Sequence, residues 1–177
     1  QRVRRVDPDG IITTYAGTGN MEAAGAGAFN GEAGEATKVD LWRPMGVAVD
    51  RSGNLYIADA SNHRIRKVSP FSGMLSTVAG SGRGGILGGA GSPGEFSGDG
   101  GSATEARLGF PTDVAVSASG EIYFADTRNF RIRLVEGGSI RTFAGGRGDR
   151  PRPPTTLIRE DVSPTDADFF LPYGVAV

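Results

Sequence analysis

Hydrophobic and polar positions alternate along this chain in short bursts, with no long helical stripe. In residues 53–59, Leu55 and Ile57 alternate with Tyr56 and Ala58, and in residues 62–68, Arg64 and Arg66 alternate with Ile65 and Lys67. Two-residue alternation predicts strands. Residues 46–49 are continuously apolar and small, as expected of a strand buried on both faces. Residues 75–79 read as a fourth, short, half-buried strand. The stretches 50–53 and 117–120 carry turn chemistry, each ending in a glycine free to take positive φ. A helical reading fails because β-branched runs are broken by glycine every few residues.

Laid on itself, the chain repeats. Pro44-Met45-Gly46-Val47-Ala48-Val49 returns as Pro111-Thr112-Asp113-Val114-Ala115-Val116 and begins again at Pro172-Tyr173-Gly174-Val175-Ala176-Val177. Leu55-Tyr56-Ile57-Ala58-Asp59 returns as Ile122-Tyr123-Phe124-Ala125-Asp126, and Asn62-His63-Arg64-Ile65-Arg66 as Asn129-Phe130-Arg131-Ile132-Arg133. Thr77-Val78-Ala79-Gly80 matches Thr14-Tyr15-Ala16-Gly17 and Thr142-Phe143-Ala144-Gly145. Each unit thus holds four short strands, with small residues concentrated in the first. That is the pattern of a propeller blade, whose innermost strand lies where blades converge and bulk is penalised.

The run from Pro44 through Asn62-His63-Arg64-Ile65 to Val78-Ala79-Gly80 resembles an NHL repeat. The stretch Phe96-Ser97-Gly98-Asp99-Gly100-Gly101, with Ala103-Thr104 after it, resembles the longer form of teneurin-like and many microbial NHL proteins. The resemblance implies an all-β fold, a β-propeller of four-stranded antiparallel blades, and here part of a ring that is usually six-bladed. It further implies binding of proteins, RNA or small ligands, with a minority of related propellers acting as lyases or lactonases.

The expected organisation is a partial blade at 1–17, blades at 44–80 and 111–145, and the start of another at 172–177. Blades so counted cannot close a ring, so a segment of a longer chain is expected. Between them run crossings at 18–43, 81–110 and 146–171, all beyond the ~15 residues usual for compact domains. With the turns at 60–62 and 127–129 they share one face, which makes that face the default binding surface. In the crossings, residues 29–37 align without gaps to residues 96–104. This predicts a tight glycine turn, then a helical turn near Ser102 that carries Leu108 inward, with Leu41 in the matching place.

Composition changes the picture little. The net charge of −1 creates no global field toward nucleic acid or anionic membrane. The absence of cysteine excludes disulfides and Cys-based zinc sites but leaves the compartment open. No stretch is apolar enough to span a bilayer as a helix.

No catalytic, cofactor or metal residue is expected. Glu32 and Asp99 as Ca²⁺ ligands supply one carboxylate per crossing where the ion needs six to eight oxygens. Asp59 and Asp126 are read as turn caps paired with Arg64 and Arg131, with Asn62 and Asn129 in the left-handed position. His63, whose counterparts are Phe130 and Gln1, is a poor metal ligand or base. Trp42 is read as an anchor of its crossing, with Arg43 near the mouth of the channel. The column Arg2, Arg4, Arg64, Arg66, Arg131 and Arg133 raises RNA binding as an alternative, weakened by the neighbouring aspartates. The basic, Pro-rich segment 147–154 reads as a solvated loop or an extended docking segment, and its Arg147-Gly148-Asp149 as a chance tripeptide. The function expected is a non-catalytic scaffold that binds protein through Glu32, Arg43, Asp99, Arg107, Arg128, Arg147, Arg150 and Arg152. A propeller enzyme with its catalytic residues outside this region is the other alternative. That chemistry needs His or carboxylates converging on the axis, and the first strands offer only Asp113.

Overall fold

A computed structural model of the chain describes residues 1–20, 29–82, 96–146 and 162–177. The described residues form antiparallel strands and single 3-10 turns. Strands β1 (Val3–Val6) and β2 (Ile12–Ala16) make a two-stranded sheet. The first full blade is β4 (Pro44–Val49), β5 (Leu55–Asp59), β6 (Arg64–Val68) and β7 (Met74–Ala79), joined at its outer edge by β3 (Ala33–Glu35). The second is β8 (Pro111–Val116), β9 (Ile122–Asp126), β10 (Arg131–Glu136) and β11 (Ser139–Gly145). Neighbouring strands in each are antiparallel and consecutive, the up-and-down order of a blade.

Adjacent sheets pack face to face, and the core lies between them. Tyr56, Ala58, Ile65 and Ala79 of the first blade meet Leu108, Val114, Ile122, Phe124, Val135 and Ile140 of the second. A second core joins Leu41, Leu55, Ile57, Val68 and Leu75 to Ala16, Val3 and Tyr15 of the strand pair before it. At the inner strands the backbones nearly touch. A Cβ on Gly46 would lie 2.6 Å from Asp113 Cα and 2.9 Å from the Thr112 carbonyl oxygen, so only glycine fits.

Burial of the inner strands follows their neighbours. β8 has β4 on one side and residues 173–175 on the other and is largely buried, as the sequence suggests. β4, expected to be buried on both faces, packs against β8 on one and exposes Met45, Val47 and Val49 on the other. Every residue of β5 is buried as well, since it lies within its sheet and between two cores.

The crossings do not stay on one face. In the first, β3 pairs with β7, the outermost strand of the blade that the crossing then enters through β4. The path therefore spans four strand spacings, roughly 19 Å. The second repeats the device: Ile140 N–H donates to Gly101 O, and the amides of Gly100 and Ala103 donate to the carbonyls of Ile140 and Gly138. These two crossings thus cover the bare outer edges of their blades. They then make the 3-10 turns Ala36–Lys38 and Ala103–Glu105, the helical turn expected near Ser102, and Pro164–Asp166 makes the matching turn in the third. Ala36 and Ala103 accept the amides of Gly17 and Gly80 from the preceding blade, and Leu41 and Leu108 are buried just beyond.

Candidate functional site

In the two full blades the basic column of the third strands is built into the interior, whereas Arg2 and Arg4 at the first strand pair are exposed. Arg66 and Arg133 are completely buried, and Arg64 and Arg131 nearly so. What covers them is the repeated crossing segment. Phe29 lies 3.9 Å from the Arg64 guanidinium and 5.5 Å from that of Arg66; Phe96 lies 3.6 Å from Arg131 and 4.7 Å from Arg133. These are cation–π distances. The acid three residues after each phenylalanine completes the lid. Glu32 receives Arg64 through Nη2 at 2.6 Å and Nε at 3.2 Å, and the Thr77 hydroxyl at 2.6 Å. Asp99 receives Arg133 Nη2 at 2.7 Å and the Thr142 hydroxyl at 2.6 Å. Partial burial works to raise the Glu32 pKa, but the bonds from Arg64 and Thr77 hold it below the ordinary range.

Beneath the column sit Asp59 and Asp126, both buried. Their arginine partners are Arg66 at 3.7 Å and Arg133 at 3.2 Å, not Arg64 and Arg131. Asp59 stands opposite Arg64 in the ladder, but Arg64 is drawn outward to Glu32, and Arg66, two residues on and diagonal, reaches back. The other aspartate bonds tie each blade to the end of its crossing. The Trp42 amide donates to Asp59 Oδ1 at 2.7 Å, and the Gly109 amide to Asp126 Oδ1 at 2.6 Å. Trp42 thus anchors its crossing, through its backbone. Burial pushes the Asp59 carboxyl up to about 6 and raises that of Asp126, against the pull of these donors. Asn62 and Asn129 donate their side-chain amides to the same aspartates, and the left-handed residues are instead His63 (φ 52°) and Phe130 (φ 56°).

At the approach to each inner strand the residue before proline is also left-handed: Arg43 (φ 52°), Phe110 (φ 56°) and Leu171 (φ 48°). Two of their amides are held by the blade before. The Arg43 amide donates to Gln1 Oε1 at 2.6 Å, and the Phe110 amide to His63 Nδ1 at 3.1 Å. Gln1 and His63 occupy equivalent positions and share one task, acceptance of that amide, whereas Phe130, the third residue at this position, has no side-chain acceptor. Burial, helped by the neighbouring Arg128 and opposed by a bond to the Leu108 backbone, lowers His63 to about 4. His63 therefore holds this joint as the neutral ring.

The candidate site residues fall into distinct places. Glu32 and Asp99 are clamped to buried arginines at the outer edges. Arg43 is exposed at the approach to β4, and Arg128 lies 4.6 Å over the Phe110 ring at the approach to β8. Around these approaches Met45 (51% exposed), Phe170 (66%) and Tyr173 (62%) face solvent. The third approach is tied to the second blade, since Thr112 Oγ1 donates to Tyr173 O at 2.9 Å and Thr127 Oγ1 to Pro172 O at 2.7 Å. Arg107 is half-buried in the second crossing and pairs with Ser97 in an isolated bridge. Arg147, Arg150 and Arg152, and the tripeptide at 147–149, lie outside the described residues. Among the described residues no three His, Cys, Asp or Glu side chains gather as metal ligands, and no helix is long and apolar enough to cross a membrane. The sequence reading missed the phenylalanine lids; the signal was a phenylalanine at fixed spacing before Gly-acid in both crossings, beside a repeated Arg-x-Arg.

A family model described as the Teneurin NHL domain matches residues 1–85 and 88–163. Human teneurin-4 is 37% identical over 127 residues, 71% of this chain and 4% of that protein. NHL repeat-containing protein 2 of Bos taurus is 28% identical over 130 residues, 72% of this chain and 16% of that protein. The chain therefore spans a small part of the curated relatives it matches. A crystal structure of an auxiliary nutrient binding protein from Bacteroides thetaiotaomicron superposes with a TM-score of 0.59 at 19% identity, covering 99% of this chain and 37% of that one, a likeness of fold.

Proposed function

The chain belongs to the Teneurin NHL domain family, and on that premise we propose that it is a non-catalytic scaffold that receives a protein partner where the crossings turn down into the inner strands. One observation carries this reading: Arg43, Met45, Arg128, Phe170 and Tyr173 lie exposed around adjoining approaches. Arginine, aromatic residues and methionine are the types enriched in the buried centres of protein interfaces. The left-handed backbone that presents Arg43 and Phe110 is fixed by Gln1 and His63, so the surface is organised before a partner arrives. Glu32 and Asp99 serve this reading indirectly, by holding the crossings in place.

The alternatives draw less support. In the described inner strands Asp113 is the ionisable residue, and its oxygens accept the amides of Val114 and Val175. An RNA-binding reading loses the four arginines buried in β6 and β10. The test is affinity capture from the native source with nuclease-treated extract. The expected result is a protein retained by the full chain, lost with Arg43→Glu plus Arg128→Glu, and kept with Phe71→Ser on the exposed β6–β7 hairpin. Retention by the double variant, or loss on nuclease treatment, overturns the reading.

A further inference from the structure

Five asparagines stand in the chain, and Asn30 alone precedes glycine; Asn20, Asn54, Asn62 and Asn129 are followed by Met21, Leu55, His63 and Phe130. Asparagine is a thermolabile residue, because the backbone nitrogen of the next residue can attack its side-chain carbonyl carbon. A side chain on that next residue hinders the attack, and glycine has none. In the second crossing the aligned pair is Ser97-Gly98, which lacks the amide altogether.

The pair lies open in the first crossing. Asn30 is exposed, and residues 29–31 belong to no strand or helical turn. A Cβ on Gly31 would find nothing nearer than Ala33 O at 3.6 Å, whereas one on Gly98 would lie 2.8 Å from Ala106 Cα. The Gly31 amide donates to no acceptor among the described residues, so its attack forfeits no bond. The Asn30 side chain is held by its own polar atoms: Nδ2 donates to Lys38 O at 2.9 Å, and Oδ1 accepts the Asp40 amide at 2.8 Å. The second bond polarises the side-chain carbonyl. When a nucleophile adds at Cγ, negative charge collects on Oδ1, where the Asp40 N–H already points.

We propose that Asn30-Gly31 is a site of spontaneous deamidation that unlatches the first crossing with age. The Gly31 nitrogen bonds to Asn30 Cγ, the Cγ–Nδ2 bond breaks, and ammonia leaves with the proton that Gly31 gives up. Water then opens the resulting succinimide at either carbonyl, leaving aspartate or isoaspartate at position 30. Aspartate sets a carboxylate oxygen against Lys38 O, where an amide donor stood. Isoaspartate also routes the backbone through the side-chain methylene. That lengthens the chain between Phe29, which covers Arg64, and Glu32, which clamps it. Either product loosens the first lid and leaves the second untouched. The site is separate from the proposed protein-binding surface and does not depend on that reading.

The experiment is incubation of the full chain in mildly alkaline buffer, native and in urea, with peptide mapping by mass spectrometry at intervals. Exchange of ammonia for water changes the mass, whereas isomerisation at Asp9-Gly10 or Asp99-Gly100 does not. Asn30 is expected to convert in the native chain at no less than about a tenth of its rate in urea, while the other four asparagines stay intact. A slower native rate overturns the proposal, because the two side-chain bonds then protect the amide. Hydrogen exchange at the Thr77 amide, which donates to Glu32 O at 3.1 Å, reads the lid. It is expected to quicken by about tenfold in the converted chain. In Asn30→Ser, which carries the residue of the second crossing and cannot convert, incubation is expected to change nothing. Unaltered exchange at Thr77 after full conversion, or equal quickening in Asn30→Ser, also overturns the proposal.

Discussion

The two full blades solve the same problem with acids that differ by one methylene. In the first, Glu32 is long enough to reach Arg64 with two bonds, and Arg66 is left with the carbonyl of Gly31 at 2.9 Å and Asp59 at 3.7 Å. In the second, the shorter Asp99 goes to Arg133, which also holds Asp126 at 3.2 Å. Arg66 Nη1 accordingly has no hydrogen-bond partner, while its counterpart on Arg133 does. A repeated sequence pattern thus keeps the lid and the buried charges, while the crossing acid takes Arg64 in the first blade and Arg133 in the second. The lesson is energetic: a buried guanidinium is tolerable only when paired, so the better-paired blade is the one more easily hurt.

The largest effect follows from that. Asp126→Ala removes an acceptor of the Gly109 amide, Asn129 and Arg133 at once. It is expected to cost about 3–5 kcal/mol, measured by urea unfolding. Asp59→Ala, whose arginine is already poorly bonded, is expected to cost about 1 kcal/mol less. Equal losses would erase the contrast between the blades.

Next comes pH. His63, Gln1 and Phe130 occupy one position, and only His63 titrates. Its ring faces Arg128, Arg64, the Leu108 backbone and the Phe110 amide. With the folded value near 4 and the unfolded near 6.5, the unfolded chain binds the extra proton between them. The contribution of His63 is therefore fully present above pH 6.5 and lost as pH falls toward 4, roughly 3 kcal/mol in all. Asp59, raised to about 6, acts in the opposite sense, gaining as pH falls through that value. The difference between the wild type and His63→Phe isolates the histidine: the wild type should lose stability relative to the variant across that window. A pH-independent difference would break the account of the joint.

Smaller effects sharpen the comparison. Exchanging the acids, Glu32→Asp and Asp99→Glu, is expected to cost about 0.5–1 kcal/mol each and to redirect the bonds, which a crystal structure of the double variant would display. Smallest are the lids. Phe96→Leu should destabilise slightly more than Phe29→Leu, each by about 0.5–1 kcal/mol in thermal unfolding, because Phe96 sits closer to both of its arginines.

The blades were legible because the strand signal is local. Pro-x-Gly-Val-Ala-Val and its returns fixed the inner strands, and Ser102 and Leu108 marked the turn and its anchor. What was not legible depends on partners distant in the chain. The column of Arg64, Arg66, Arg131 and Arg133 reads as a surface stripe until Phe29 and Phe96 are seen to cover it. The roles of Gln1 and His63 escaped because their shared chemistry is one acceptor atom, not a shared residue type. The crossings were read as a single face because nothing in their composition announces that 33–35 leave for the outer edge and pair with β7.

The central claim is that the crossing acids are structural clamps on buried arginines, which leaves recognition to the approaches of the inner strands. A double-mutant cycle with Asp99→Asn and Arg133→Met tests it most directly. A coupling of about 1.5–3 kcal/mol is predicted for the charged bond at 2.7 Å. Strict additivity of the two losses would contradict it and return Asp99 to the pool of groups available for a ligand.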